Sequence, residues 1–180
     1  KSEMMKHTLH VDKAVWADAK DFLEKVNEIA EDKVFNNQKW LDICQNWKHK
    51  YPVTLDRHWN NGGEFANVFA FIKYLSDRLP EESYTAVSNG ACCVVGHQNY
   101  TIKSGTRFII NSAIASMGYG LPAAIGLCVA DGRKDTICLE GDGSIMMNLQ
   151  ELQTIVTNNL PIKLFLINNQ GYHSIRLTQN

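Results

Sequence analysis

Three short stretches of the 180-residue chain carry residue types that could do chemistry together. Glu140-Gly141-Asp142-Gly143-Ser144 closes an apolar run at Thr136–Leu139, and Asn168-Asn169 closes a second at Ile162–Ile167. Asn89-Gly90-Ala91 closes a third run, Tyr84–Ser88, with small residues that permit close backbone approach to a ligand. A helix-forming pattern lies between the first two, so residues 135–171 read as a β-loop-α-β unit. In a parallel sheet such strand ends share one edge, where open α/β folds take their ligands. A loop that holds phosphate through its backbone gains nothing from a carboxylate at its centre. Asp142 makes sense there if a divalent cation sits between it and a diphosphate. Asp142 and Asn169, 27 positions apart, offer a carboxylate and an amide carbonyl, oxygen donors of the kind Mg²⁺ takes. Gly143 and Ser144 offer backbone N–H groups, and Ser144 a hydroxyl, to phosphate at a helix start. Each motif alone is a common turn or loop; their shared placement gives them meaning.

Two competing nucleotide motifs do not fit. Gly141-Asp142-Gly143-Ser144-Ile145-Met146 lacks the third glycine of a dinucleotide fingerprint, sets an acid against the pyrophosphate, and finds Asn168-Asn169 where an acid should end the next strand. No GxxxxGK[ST] run occurs, which excludes a P-loop.

The elements that must position these residues follow from periodicity. Thr8–Val11 suits a short strand. Helical spacing of apolar residues from Val15 to Ala30, and again through Trp40, Leu41, Cys44 and Trp47, predicts two helices, the second ending before Tyr51-Pro52. Trp16, Trp40 and Trp47 read as packing residues. Residues 49–63 read as a connection, with a boundary near residue 60. Glu64–Leu79 is an amphipathic helix with Phe65, Val68, Phe69, Ile72, Leu75 and Leu79 on one face, ended by Pro80. Arg107–Ile110 is a strand, followed by a Gly/Ala/Ser-dense segment that enters an apolar helix reaching about Ala130. In the central helix, Asn148 and Glu151 match a capping box, which gives Glu151 a structural role. Residues 170–180 form a loop or helix start with no strand after it, so the domain reads as cut off at its C-terminus.

Composition bounds the function classes. The net charge of -1 gives no reason to expect nucleic acid or an anionic membrane as partner. No apolar run reaches the length of a membrane helix, and the N-terminus lacks a signal-peptide pattern. The five cysteines are odd in number, and no CxxC or Cys/His metal spacing occurs, so they read as reduced thiols of a cytoplasmic protein. Cys92-Cys93 has no base near it in sequence and reads as small apolar residues at a helix start.

The run GDGSIMMNLQELQTIVTNNLPIKLFLINN resembles the thiamine-diphosphate motif, Gly-Asp-Gly followed some two dozen residues later by Asn-Asn. INSAIASMGYGLPAAIG resembles the block that precedes it in the acetohydroxyacid (acetolactate) synthase and pyruvate oxidase group. The resemblance covers about residues 60–180. It implies an α/β fold with a mostly parallel, doubly wound sheet and flanking helices, in which residues 1–60 are the tail of a middle domain and its linker. Residues 61–180 are then the diphosphate-binding domain, incomplete at its C-terminus.

By position, the resemblance implies that Asp142, the Asn169 side chain and the Gly171 carbonyl are Mg²⁺ ligands. Gly90, Ala91, Cys92, Gly143 and Ser144 would line the diphosphate. Met117 would be the apolar residue that holds the cofactor bent, and the Ala115 carbonyl would accept from its 4'-amino group. Asn89, Ser116, Gly141, Ser174 and Ile175 complete the expected cofactor contacts. No catalytic side chain is fixed; His173 beside the site is the acid–base candidate, with His97 more remote. The implied parent is a homodimeric or homotetrameric carboligase that decarboxylates a 2-oxo acid such as pyruvate, with room for FAD. Alternatives are a 2-oxo acid decarboxylase, an oxalyl-CoA-type lyase, or a catalytically silent cofactor-binding or dimerisation module. Two positions depart from the synthase pattern: Ala91-Cys92-Cys93 replaces a Gln-His-Gln run, and Thr178 replaces a pocket tryptophan. Both point to a relative with another 2-oxo acid or acceptor. The glutamate that protonates the pyrimidine belongs to a separate domain of the family and is not among these residues.

Overall fold

The computed structural model describes residues 8, 10–60, 62–63 and 65–179. The chain divides into two compact units, residues 1–50 and 51–180.

The first unit holds two helices, α1 (Ala19–Ala30) and α2 (Gln38–Lys50). Asp18 caps α1 by accepting from the Lys20 amide, which satisfies one of the orphan donors of the first turn. Neither helix has a buried residue. Trp16, Trp40 and Trp47 are 75%, 57% and 52% exposed, although Trp40 and Trp47 meet edge to face at 5.9 Å. His10 and Val11 are not in a strand, and Leu9 of the proposed Thr8–Val11 strand lies outside the described residues.

The second unit is built on four parallel strands, β1 (Tyr84–Val87), β2 (Arg107–Ile110), β3 (Thr136–Gly141) and β4 (Ile162–Ile167), in the order β2-β1-β3-β4. In register, Tyr84 pairs with Arg107 on one side and Thr136 on the other, and Thr136 pairs with Ile162. The central strands β1 and β3 read as near-continuous buried runs because helices cover both faces. On one face Val87, Ile137 and Leu139 pack with Ile72 and Val95 from α4 (Val68–Arg78) and α5 (Ala91–Asn99). On the other, Ala86 and Cys138 pack with Leu121 and Ala124 of α6 (Gly120–Ala130), backed by Leu152 and Ile155 of α8 (Glu151–Thr157). A short turn of helix, α7 (Asp142–Ile145), follows β3, and α9 (His173–Gln179) follows β4. The expected α/β, parallel, doubly wound architecture is thus observed.

Local differences from the sequence reading have identifiable causes. The helix expected over 64–79 starts at Val68, because Asn67 caps it by accepting from the amides of Phe69 and Ala70. Leu79 adopts an extended conformation before Pro80, as a residue preceding proline must. The connection 49–63 contains a one-turn helix, α3 (Asp56–Trp59). The capping box at Asn148 and Glu151 is absent. Gln150 occupies the cap position of α8 with no side-chain bond, while the Asn148 amide reaches Gly118 instead.

The strand order places the connections from β1 and from β3 on opposite faces of the sheet. The chain therefore reverses direction between β1 and β3, and a crevice opens at their C-terminal ends, where open α/β sheets take their ligands. Among the described residues, no helix is long and apolar enough to cross a membrane.

Candidate functional site

That crevice is a cavity of about 270 Å³. Four chain segments converge on it, one after each strand. Asn89, Gly90, Ala91 and Cys92 come from the end of β1, and Ala115 and Met117 from the loop after β2. Gly141, Asp142, Gly143 and Ser144 follow β3, and Asn169, His173, Ser174 and Ile175 follow β4. Of the residues singled out in sequence, Ser116 and Gly171 are not in the wall. Ser116 faces a neighbouring cavity with Asn111 and Pro122, while Gly171 reaches Asp142 through its amide.

Asp142 is held by two backbone donors. The Gly143 amide donates to Oδ1 at 2.9 Å and the Gly171 amide to Oδ2 at 2.7 Å. Each carboxylate oxygen keeps a second lone pair for another partner. The two bonds tie the loop after β3 to the loop after β4 and fix the direction of the carboxylate. Asn169 donates no bond to this pair, but its carbonyl accepts from Arg176 Nη2 at 2.9 Å, which steadies the same loop.

The floor beside Asp142 is set by glycine. Gly90 begins α5 at φ +71° and ψ -136°, a conformation open in practice to glycine alone, and an added Cβ would meet nothing within 4 Å. The helix thus starts with its first-turn amides, which have no intrahelical acceptors, at the cavity. Three further residues around the site carry positive φ without being glycine: Ala115 at 58°, Gln170 at 62° and Tyr172 at 45°. Such angles persist only where surroundings enforce them. The Asn89 side chain donates to the Ala115 carbonyl and so supplies part of that enforcement.

The Ser144 hydroxyl bonds within the protein. It accepts from the Gly118 amide at 2.8 Å and shares a 2.6 Å bond with the Ser88 hydroxyl, and the residue is 5% exposed. Cys92 lies in the cavity wall as an inert thiol. Burial, with Glu140 adding to it, pushes it up to about 12. Burial also raises the Cys93 thiol, whose Sγ lies 3.7 Å from His97 Nδ1 on α5, outside the cavity wall. All five cysteines are free.

Two wall residues escaped the sequence reading, Ile167 and Tyr172. Ile167 is the last residue of β4, and its position directly before Asn168 was the available signal. Tyr172 was hidden because its ring is brought in by the left-handed turn Gln170-Gly171-Tyr172, which periodicity does not report.

A sequence model of one family, described as thiamine pyrophosphate enzyme, C-terminal TPP binding domain, matches residues 88–180. The chain belongs to this family. Among characterised proteins it is similar to the acetolactate synthase isozyme 2 large subunit of Escherichia coli, with 33% identity over 150 residues. That alignment covers 80% of this chain and 26% of the relative. It is also similar to the acetolactate synthase large subunit of Cyanidium caldarium, at 34% over 142 residues, 79% of this chain and 23% of that one. The chloroplastic acetolactate synthase of Arabidopsis thaliana is 31% identical over 167 residues, 91% of this chain and 24% of the relative. The chain thus spans about a quarter of the length of these relatives.

Proposed function

We propose that this chain is the diphosphate-binding part of a thiamine-diphosphate- and Mg²⁺-dependent carboligase of acetolactate-synthase type. The observation that carries the reading is the convergence of all four strand ends on one cavity, with the Asp142 carboxylate in its wall held by the Gly171 amide. The donor set fits the group: a hard carboxylate with free lone pairs, an Asn169 amide on the same wall, and the amide-rich start of α5 behind Gly90.

In this reading Asp142 and Asn169 hold Mg²⁺, with the Gly171 backbone completing the protein's share. The cation offsets the repulsion between Asp142 and diphosphate. Gly90, Ala91, Cys92 and Gly143 would present backbone to the phosphates, and Met117, in the same wall, would support the cofactor. When bound, thiamine diphosphate supplies the electron sink for decarboxylation of a 2-oxo acid and transfer of the remaining acyl unit to a second carbonyl. The protein's part is to orient that group and to keep water from it. Ile167, Tyr172 and Ile175 supply apolar wall, and His173, in the same wall, would be the side chain to hold or move a proton. Pyruvate or a related 2-oxo acid as substrate, homo-oligomeric assembly and a cytoplasmic setting belong to the same proposal.

The test is titration of the full-length protein with thiamine diphosphate, with and without Mg²⁺, followed by product analysis with pyruvate and other 2-oxo acids. Mg²⁺-dependent binding is expected. A protein that takes up no thiamine diphosphate overturns the reading.

A further inference from the structure

We infer that Asn148 is a positioning residue for the loop that carries Met117 into the cavity, an inference that rests on the cofactor reading above. Gly118, the next residue, is gripped from both sides. Its amide donates to Ser144 Oγ at 2.8 Å, and its carbonyl accepts from Asn148 Nδ2 at 2.8 Å. Both partners belong to the segment that follows Asp142. Ser144 is braced in turn by Ser88 at the end of β1. Gly118 is buried at φ +78°, and a methyl group there would lie 2.6 Å from Met147 Cβ and 2.8 Å from Asn148 Nδ2. The two loops are therefore as close as glycine allows, and neither can slide past the other.

The consequence concerns geometry between the two ends of a ligand. The segment that supplies Asp142, the anchor for the diphosphate, also sets the height of Met117 through Gly118. In the preceding part of the same loop Ile114 is 83% exposed, and the Ala115 carbonyl is held by the Asn89 side chain. Asn148 is not in the wall of the cavity, so it acts through Gly118 and not on a ligand directly. Removing its donor releases Gly118 on one side and loosens Met117, while leaving the carboxylate and the start of α5 in place.

The experiment compares the full-length protein with Asn148→Ala and with Asn148→Asp, which keeps the shape and loses the N–H. Hydrogen exchange without any ligand reads the clamp itself: amides at residues 117–119 are expected to exchange at least about tenfold faster in both variants. Calorimetry with Mg²⁺ and inorganic pyrophosphate probes the anchoring half alone, and is expected to stay within about twofold of the unmodified protein. Thiamine diphosphate is expected to bind at least about tenfold more weakly, near 1.4 kcal/mol. Retained pyrophosphate binding also shows that the variants fold. Unchanged exchange, an Asn148→Asp protein that behaves as the unmodified one, or equal effects on the two ligands each overturn the inference. An unmodified protein that binds pyrophosphate but no thiamine diphosphate overturns instead the cofactor reading, and the role of Met117 with it.

Discussion

Gly171 donates its amide to Asp142 Oδ2 at 2.7 Å, joining the ends of two neighbouring strands through one carboxylate. The bond aims Asp142 without consuming it, because each oxygen still has a lone pair to give. Asp142→Ala removes both the charge and the tie between the loops. It is expected to abolish Mg²⁺-dependent thiamine diphosphate binding, a loss of at least about a hundredfold, or roughly 2.7 kcal/mol. Asp142→Asn keeps the shape and should lose nearly as much, since a neutral amide is a poor substitute for a carboxylate toward Mg²⁺. Unchanged affinity by calorimetry in either variant would remove Asp142 from the metal site.

Gly143 and Tyr172 make a second contact between the same two loops. A Cβ on Gly143 would stand 3.2 Å from the Tyr172 ring, closer than ordinary packing allows. Gly143→Ala is therefore expected to push the half-exposed Tyr172 outward by a few tenths of an ångström and to cost less than about 1 kcal/mol, the range of a surface substitution. The cost should appear in thermal unfolding, and Gly143→Ala combined with Tyr172→Ala should recover most of it. Additive losses in the double variant, measured as a mutant cycle, would show that the two residues do not press on one another.

How much of this was legible beforehand differs between strands and loops. The central strands β1 and β3 were visible as near-continuous buried runs, and the flanking strands Arg107–Ile110 and Ile162–Ile167, only partly buried, still show enough apolar residues to give the expected bounds. The candidate site was legible as motifs, since strand ends in such a sheet share an edge. What stayed hidden depended on contacts between residues far apart in sequence. Asn148 looks like a helix cap, but its side chain is turned to donate to the carbonyl of Gly118, thirty positions earlier, while its oxygen accepts from Gln150. Ser144 lies in the cavity wall as its motif suggested, but the bonds of its hydroxyl to Gly118 and Ser88 could not be read from the motif. The packing expected of Trp40 and Trp47 rested on spacing, and spacing shows a face without showing what covers it.

The Cys92 thiol gives a pH prediction. In an unfolded chain such a thiol ionises near 9.0, whereas burial first, and Glu140 second, hold it to about 12 in the folded protein. Folding therefore retains a proton that the unfolded chain releases between about pH 9 and 12. The contribution is present below pH 9 and is lost as pH rises through that window. Cys92→Ala should flatten the alkaline fall of the urea midpoint relative to the unmodified protein. Cys138, also raised by burial, should give a further flattening in the double variant. Parallel curves for Cys92→Ala and the unmodified protein over pH 9–12 would contradict the assignment. At neutral pH the same protonation should leave Cys92 slow to react with iodoacetamide in the folded state.

Glu140, the residue before the Gly-Asp-Gly turn, is fully buried, and neither carboxyl oxygen has a hydrogen-bond partner among the described residues. It lies on the α6 side of β3, against Gly120 and the Ser88 side chain, where glycine at 120 is required to make room for it. An unsatisfied buried polar group carries a desolvation penalty of about 1–3 kcal/mol, more when charged. Replacing it with an apolar side chain of similar length is then neutral or favourable, because no partner is orphaned. Glu140→Met is expected to raise stability by about 1–3 kcal/mol in urea unfolding. Glu140→Ala should instead lose stability, since it leaves a cavity beneath Gly120 that the sheet cannot collapse to fill. The contrast between the two variants isolates the polar cost from the packing. If Glu140→Met is destabilised as strongly as Glu140→Ala, the carboxyl has a partner that stabilises it, and its burial is matched after all.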